Sequence, residues 1–251
     1  MTASAWLPRL RPLVGPLVLI VLIAFFGALY PGTFLSQQNL LVNILETVSF
    51  LIIVAAAQTV VMVVGDFDLS VSGLAALATS FTAAMLATTT LAGEAQDPAF
   101  VPLAIGIGLA VGLIGGLVNG VLVAYLGVLA FIATLGMSVV FTNLARFRLE
   151  GRTVYGLVEE GFVEVARGTT LGVSHKVWIA LIIAGAIWFL LDRTTLGRRM
   201  YAVGGNAEAS RFSGIDVKRT RLIAFALCGV GAAAAGILQS ASTATANTSA
   251  T

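Results

Sequence analysis

Seven apolar runs, 13–30, 48–64, 71–91, 100–126, 128–147, 177–191 and 222–238, take up most of this 251-residue sequence. A helix needs about 20 apolar residues to cross a bilayer. Inside hydrocarbon, every backbone N–H and C=O must be satisfied within the protein, so helices and closed barrels are the available spanning structures. Runs of this length predict an all-α integral membrane protein: a polytopic helical bundle of about seven spans, one domain covering 1–251. Charge content agrees, since 10% of residues are charged where soluble domains carry about 25%. The runs 48–64 and 177–191 are short for a full crossing, which predicts tilted or interrupted helices. Arg9 and Arg11 precede the first run, as they would in a signal peptide or an inside-anchored span. The run is long for a signal peptide, and Ala28-Leu29-Tyr30-Pro31 is a poor cleavage site, so we read it as an uncleaved span.

With 14 basic and 12 acidic residues, the chain has no nucleic-acid surface, and its charges serve as topology signals. An N-terminus on the cytoplasmic side, followed by alternate crossings, puts 192–221 in the cytoplasm. That loop carries Arg193, Arg198, Arg199, Arg211, Lys218, Arg219 and Arg221, as the positive-inside rule requires. The outer loops 31–41 and 92–99 have no Lys or Arg. The third outer loop runs against the trend, mixing Arg146, Arg148, Arg152, Arg167 and Lys176 with Glu150, Glu159, Glu160 and Glu164.

Two places carry chemistry. In Gly65-Asp66-Phe67-Asp68-Leu69-Ser70-Val71 two carboxylates interrupt what is otherwise one hydrophobic stretch. Gly65 suits the end of one helix and Asp68 the N-cap of the next. A carboxylate at membrane depth also marks a candidate functional residue. The candidate substrate path is Asp68 with Phe67, Gln58, Asn119, Phe131 and Thr134. The amides among them equally serve as interhelix hydrogen-bonding groups, and the rings as packing. In the basic loop, Asn206 to Gly214 reads as a short helix capped by Asn206 and stopped by Gly214, with Asp216 capping the helix after it. A topology anchor needs the charges but not a capped helix. The loop therefore reads as a docking element for a cytoplasmic partner, made of Gly205, Asn206, Glu208, Arg211, Ser213, Gly214 and Ile215.

Gly108, Gly112, Gly116 and Gly120 recur every fourth residue, and a second small-residue cluster runs from Gly229 to Gly236. Both predict faces where another helix backbone approaches closely. The lone Cys228 and lone His175 cannot build a zinc site, and His175 reads as an exposed loop residue. No phosphate-binding loop, nucleophile elbow or H-E-x-x-H pair occurs. No catalytic residue, metal or cofactor is expected, and the chain is not equipped to hydrolyse ATP.

Three ordered blocks resemble the permease subunits of bacterial monosaccharide importers of the ATP-binding-cassette class. Gly65 to Val71 is similar to that family's G-G-I-D-L-S-V, departing at Asp66 and Phe67. Asn119-Gly120 and Phe131-Ile132-Ala133-Thr134-Leu135-Gly136 resemble its N-G and F-I-A-T-L-G. Gly197-Arg198, Tyr201-Ala202-Val203-Gly204-Gly205-Asn206 and Ser213-Gly214-Ile215 resemble its G-R, Y-A-x-G-G-N and S-G-I. The resemblance implies a multi-pass protein of the bacterial inner membrane that works as a homodimer or heterodimer. It also implies a cytoplasmic ATPase docked near Asn206 to Ile215 and a periplasmic binding protein delivering a monosaccharide or polyol. Family members continue with further spans, so a missing C-terminal part is expected. The alternatives are an ion-coupled secondary transporter, which predicts paired ionisable residues at the midplane, and an ATP-driven permease for another solute such as branched-chain amino acids.

Overall fold

The computed structural model describes residues 7–91, 100–155, 157 and 160–246. The chain divides into two compact units, Met1–Thr47 and Val48–Thr251. In the first, α1 (Leu7–Leu29) leads through a turn into a π-helical segment, Gln38–Ile44. The turn is closed by Asn39, whose amide donates to the Phe34 carbonyl at 2.8 Å, while the rings of Phe26 and Phe34 lie 5.7 Å apart.

α2 (Leu45–Val63) begins at the end of the first unit, and its residues from Val48 on belong to the second, with α3 (Val71–Leu91), α4 (Phe100–Ala124), α5 (Ala130–Arg148), α6 (Glu160–Arg167), α7 (His175–Arg193), α8 (Thr195–Gly205), α9 (Ala207–Phe212) and α10 (Val217–Thr243). Strands β1 (Val154–Tyr155) and β4 (Thr245–Ala246) pair antiparallel, as do β2 (Thr169–Thr170) and β3 (Val173–Ser174). Among the described residues five helices are long and apolar enough to cross a membrane: Gln38–Val63, Phe100–Ala124, Ala130–Arg148, His175–Arg193 and Val217–Thr243. Two shorter apolar helices, Val14–Leu29 and Val71–Leu86, accompany them. The protein is therefore a multi-pass helical membrane protein.

The runs that looked short are longer as helices. Gln38–Val63 is 26 residues because Asn39, Asn43 and Glu46 belong to the helical path, and His175–Arg193 is 19 because polar residues start and end it. The last span also begins before its apolar run. Asp216 caps it, so Lys218, Arg219 and Arg221 lie on its first turns.

α10 is the central element, with 61% of its apolar window buried against 19–33% for the other four spans. Its partner is α4, and the glycine ridge explains the approach. A Cβ on Gly112 would run into Ala233 and the Gly229 carbonyl. One on Gly116 would strike the Phe225 carbonyl, and one on Gly120 would lie 3.0 Å from the Leu222 Cα. Gly229 answers from the other side, its Cβ position 2.8 Å from the Gly116 Cα. Without side chains between them the two backbones gain dispersion contacts along their length, the source of helix association where lipid offers no hydrophobic drive. Gly236 does the same against the Ala75 carbonyl of α3.

Three apolar clusters follow one another along α10. Phe225 and Cys228 belong to the first, with Val60, Val64, Met200 and Val203. Ala232 belongs to the second with Leu74 and Phe141, and Ile237, Leu238 and Ala241 to the third, with Phe162 and Leu157. The first cluster marks one end of the bundle. The α2–α3 connection, the end of α4 and the loop between α7 and α10 meet there. Alternate crossings put these three connections on one side. Tyr125, just past α4, receives the Lys218 ammonium over its ring at 5.6 Å.

The charged stretch at the other end has a fold that its composition did not predict. α6 and the β2–β3 hairpin close over α7, and His175 is the first residue of that helix rather than part of an exposed loop. Its ring contacts the Thr170 hydroxyl at 2.9 Å and the Glu164 carbonyl at 3.0 Å.

Candidate functional site

At the bundle end marked by Val60 and Val64, two breaks in the chain lie against each other. The first separates α2 from α3. Gly65 has φ +87°, its N–H donates to the Met62 carbonyl at 3.0 Å, and the Asp66 N–H reaches the Val61 carbonyl at 3.2 Å. This 6→1 and 5→2 pair is the Schellman stop, in which a left-handed glycine satisfies the last carbonyls of a helix. α3 then opens with Ser70, whose carbonyl accepts from the Leu74 N–H at 2.8 Å. Asp68 is thus not the N-cap itself. It stands two residues earlier and clamps Ser70, its Oδ1 accepting from the Ser70 N–H (2.8 Å) and hydroxyl (2.7 Å).

Tertiary partners surround this clamp. Asn119 of α4, fully buried, donates to the Ser70 hydroxyl at 2.6 Å and approaches the second Asp68 oxygen at 3.5 Å. Thr134 of α5 accepts from the Leu69 N–H at 3.0 Å and lies 3.4 Å from the Phe67 carbonyl. The Gln58 amide, oriented by its hydrogen bonds, pairs with the Asp68 backbone, accepting from its N–H at 3.0 Å and donating to its carbonyl at 3.2 Å. Cys228 lies 3.8 Å from that amide. Burial explains the density of this pairing, because an unmade hydrogen bond inside the bundle costs more than a made one contributes, although the Asn119 side-chain oxygen is buried without a partner. Four of the six residues expected on a substrate path, Asp68, Gln58, Asn119 and Thr134, therefore join one cluster. The other two do not enter it: Phe67 is 43% exposed and Phe131 59%.

The second break is the basic loop. Thr194 caps α8 by accepting from the Gly197 N–H at 3.1 Å, and Asn206 caps α9, accepting from Ala209 at 2.9 Å. Gly214, at φ +80°, ends α9 with the Schellman pair already seen at Gly65: its own N–H to the Arg211 carbonyl and the Ile215 N–H to the Ser210 carbonyl, both at 3.0 Å. Asp216 then caps α10, accepting from Arg219 at 2.9 Å. Every cap read from the sequence of this loop is present. Gly205, Asn206, Glu208, Arg211, Ser213 and Gly214 are exposed and Ile215 is half-buried. The sequence reading missed Phe212, an aromatic ring 85% exposed at the end of α9. A large apolar residue among charges in a capped helix was the available signal.

The two breaks touch. A Cβ on Gly204 would collide with the Val63 carbonyl, and the Cβ position of Gly65 lies 3.7 Å from the Gly204 Cα. Asp66 Oδ2 faces Arg221 Nε at 3.2 Å, yet the N–H is not aligned as a hydrogen bond and neither buried atom finds another partner. Burial pushes the Asp66 carboxyl above the usual carboxylate range, and the Arg221 charge pulls it part of the way back. The two lie far apart in the chain, so the sequence alone does not pair them.

Residues 40–251 match the family described as branched-chain amino acid transport system / permease component. The chain belongs to this family. The permease is similar to the ribose import permease protein RbsC of Escherichia coli (strain K12), 36% identical over 94% of this chain and 70% of that protein. It is also similar to the D-allose transport system permease protein AlsC of the same organism, 35% identical over 89% of this chain and 66% of that protein. The galactose/methyl galactoside import permease protein MglC of Salmonella typhimurium is 34% identical over 88% of this chain and 68% of that protein. The permease thus spans about two thirds of the length of these relatives. They are transport components, and the permease is a transport subunit rather than an enzyme. No solved structure matches it.

Proposed function

We propose that the permease is the membrane-spanning subunit of an ATP-driven importer for a monosaccharide or related polyol. The observation that carries this reading is the likeness, at 34–36% identity, to permeases named for ribose, allose and galactose. Those names favour a sugar over the amino acids in the family's description and over an ion-coupled carrier.

A cytoplasmic ATPase docks on α9 and its flanks, where exposed Phe212 and Arg211 supply the aromatic and guanidinium anchors typical of interface hot spots. A periplasmic binding protein delivers the sugar, and a second permease copy completes the path. The N-terminus is cytoplasmic, which keeps the basic loop inside. Phe67 and Phe131 are free to meet a sugar face, while Asp68, Gln58, Asn119 and Thr134 hold the break that shapes the wall.

The test is co-purification of the tagged permease with its ATPase, followed by ATP-driven uptake of pentoses and hexoses into vesicles supplied with the binding protein. Phe212→Ala together with Arg211→Ala should lower ATPase recovery at least fivefold with membrane insertion unchanged. Undiminished recovery would remove α9 from the interface, and uptake driven by an ion gradient without ATP would replace the importer reading.

A further inference from the structure

The β2–β3 hairpin folds back along the first turn of α7. Its tip is a two-residue turn, Leu171-Gly172, closed by the Thr170–Val173 pair, and the Trp178 indole N–H donates to the Thr170 carbonyl at 3.3 Å. The tip therefore sits beside Trp178 and Ile179 rather than beyond the end of the helix. A cleft of about 520 Å³ opens there, lined by Val165, Thr170, Leu171, His175, Trp178 and Ile179. No Lys, Arg, Asp or Glu is among these six. Leu171 is out of place in such a turn. It and Gly172 both have left-handed backbones, φ +56° and +76°, the pattern of a type I′ turn, which favours Asn-Gly or Gly-Gly. A leucine there is strained, and its side chain, 88% exposed, gains no protein packing in return.

α7 sets the depth of this cleft. The helix has 19 residues, about 28 Å at 1.5 Å per residue, against about 30 Å for a hydrocarbon core. Its first turn thus lies at one edge of the hydrocarbon, with no length to spare. The last turn of α10 ends at the same level, because Lys176 donates to the Ser242 hydroxyl at 3.2 Å and Arg167 to the Ser242 carbonyl at 2.8 Å. From Trp178 an exposed stripe runs on through Ile182, Gly185 and Phe189, at the spacing of one helix face. It offers water no polar group and offers a protein partner nothing that would fix a register. Lipid is the solvent that suits it, and the cleft is its continuation at the level where membrane proteins place their tryptophans.

We propose that the β2–β3 hairpin dips into the membrane, with Leu171 inserted at the edge of the hydrocarbon and the cleft beside Trp178 holding an acyl chain of a neighbouring lipid. Removal of the Leu171 side chain from water offsets the strain of its backbone. The hairpin also extends the apolar surface of a span that is barely long enough, which reduces hydrophobic mismatch at that end. None of this depends on what the permease carries.

The experiment uses the permease in phosphatidylcholine–phosphatidylglycerol vesicles, with Trp178 left as the sole tryptophan by Trp6→Phe and Trp188→Phe. A nitroxide on carbon 5 of the lipid acyl chain should lower Trp178 emission at least twofold, while aqueous iodide leaves it nearly unchanged. In permease that floats with the vesicles, Trp178 emission untouched by the lipid nitroxide overturns the proposal, whether water or protein then covers the cleft. Leu171→Asn separates insertion from turn stability, because Asn suits a left-handed position better than Leu. This variant should keep the fold, lose at least half of the nitroxide quenching and become at least twofold more sensitive to iodide. Quenching equal to that of the parent would show that Leu171 does not hold the lipid, and the insertion would be overturned.

Discussion

Two breaks, at 65–70 and at 206–216, use one local device in two different solvents. Each stops a helix with a left-handed glycine closed by 6→1 and 5→2 hydrogen bonds, at Gly65 and at Gly214. In each, an aspartate at the entry to the next helix accepts a backbone N–H, Asp68 from Ser70 and Asp216 from Arg219. Around Asp68, however, amides and hydroxyls from α2, α4 and α5 converge, and the residue is 3% exposed, whereas Asp216 is exposed and bonds only to its own helix. Local backbone chemistry sets where the chain turns. Burial sets how much depends on the turn.

The comparison breaks most readily at the aspartates. Asp68→Leu leaves the Ser70 N–H and hydroxyl without their acceptor in the bundle interior, at a cost of about 2–3 kcal/mol, whereas Asp216→Leu removes an exposed cap worth about 1 kcal/mol. Thermal unfolding of the solubilised permease, followed by size exclusion, should therefore show the larger drop for Asp68→Leu. Equal drops would mean that the surrounding amides add nothing. Asp68→Asn keeps one acceptor for Ser70 and should fall between.

The glycines sharpen the comparison by removing the difference. Ala at Gly65 and Ala at Gly214 meet no atom closer than 3.7 Å, so only left-handed strain counts, about 1–2 kcal/mol at each. The two variants should lose the same stability. They should differ in function, Gly214→Ala lowering coupling to the ATPase because it frees the end of α9. Smallest of all is Asn206→Ala, which removes one exposed cap at about 1 kcal/mol. Its effect should be visible as faster backbone amide exchange in α9 with the rest of the bundle unchanged.

The same contrast explains what was legible in the sequence. The caps of Asn206 and Asp216 and the stop at Gly214 are legible because each acts within four residues of itself. The glycine ridge was legible because its period matches a helix face, although the period alone could not name α10 as the partner. Asp68 reads as the cap but stands two residues before it, because Ser70 is an equally good cap residue and only the start of α3 at Val71, with the Ser70 carbonyl accepting from Leu74, decides between them. Arg221 reads as one more charge in a basic loop. Its pairing with Asp66 depends on α10 beginning at Val217, which the charges on its first turns hid. Phe131 shares a sequence block with Thr134, yet its side chain is exposed and only Thr134 joins the cluster.

The backbone contact between α4 and α10 also bears on how this sequence can drift. At Gly112, Gly116 and Gly229 every replacement adds volume where an opposing backbone already sits, so no compensating change in a partner side chain can make room. Mutational tolerance along α4 should therefore fall sharply at every fourth residue and recover between. Leu113 and Val121, whose side chains face outward, should accept almost any apolar substitute. A deep substitution scan scored by insertion and folding alone would reveal that comb-like pattern with no transport assay at all.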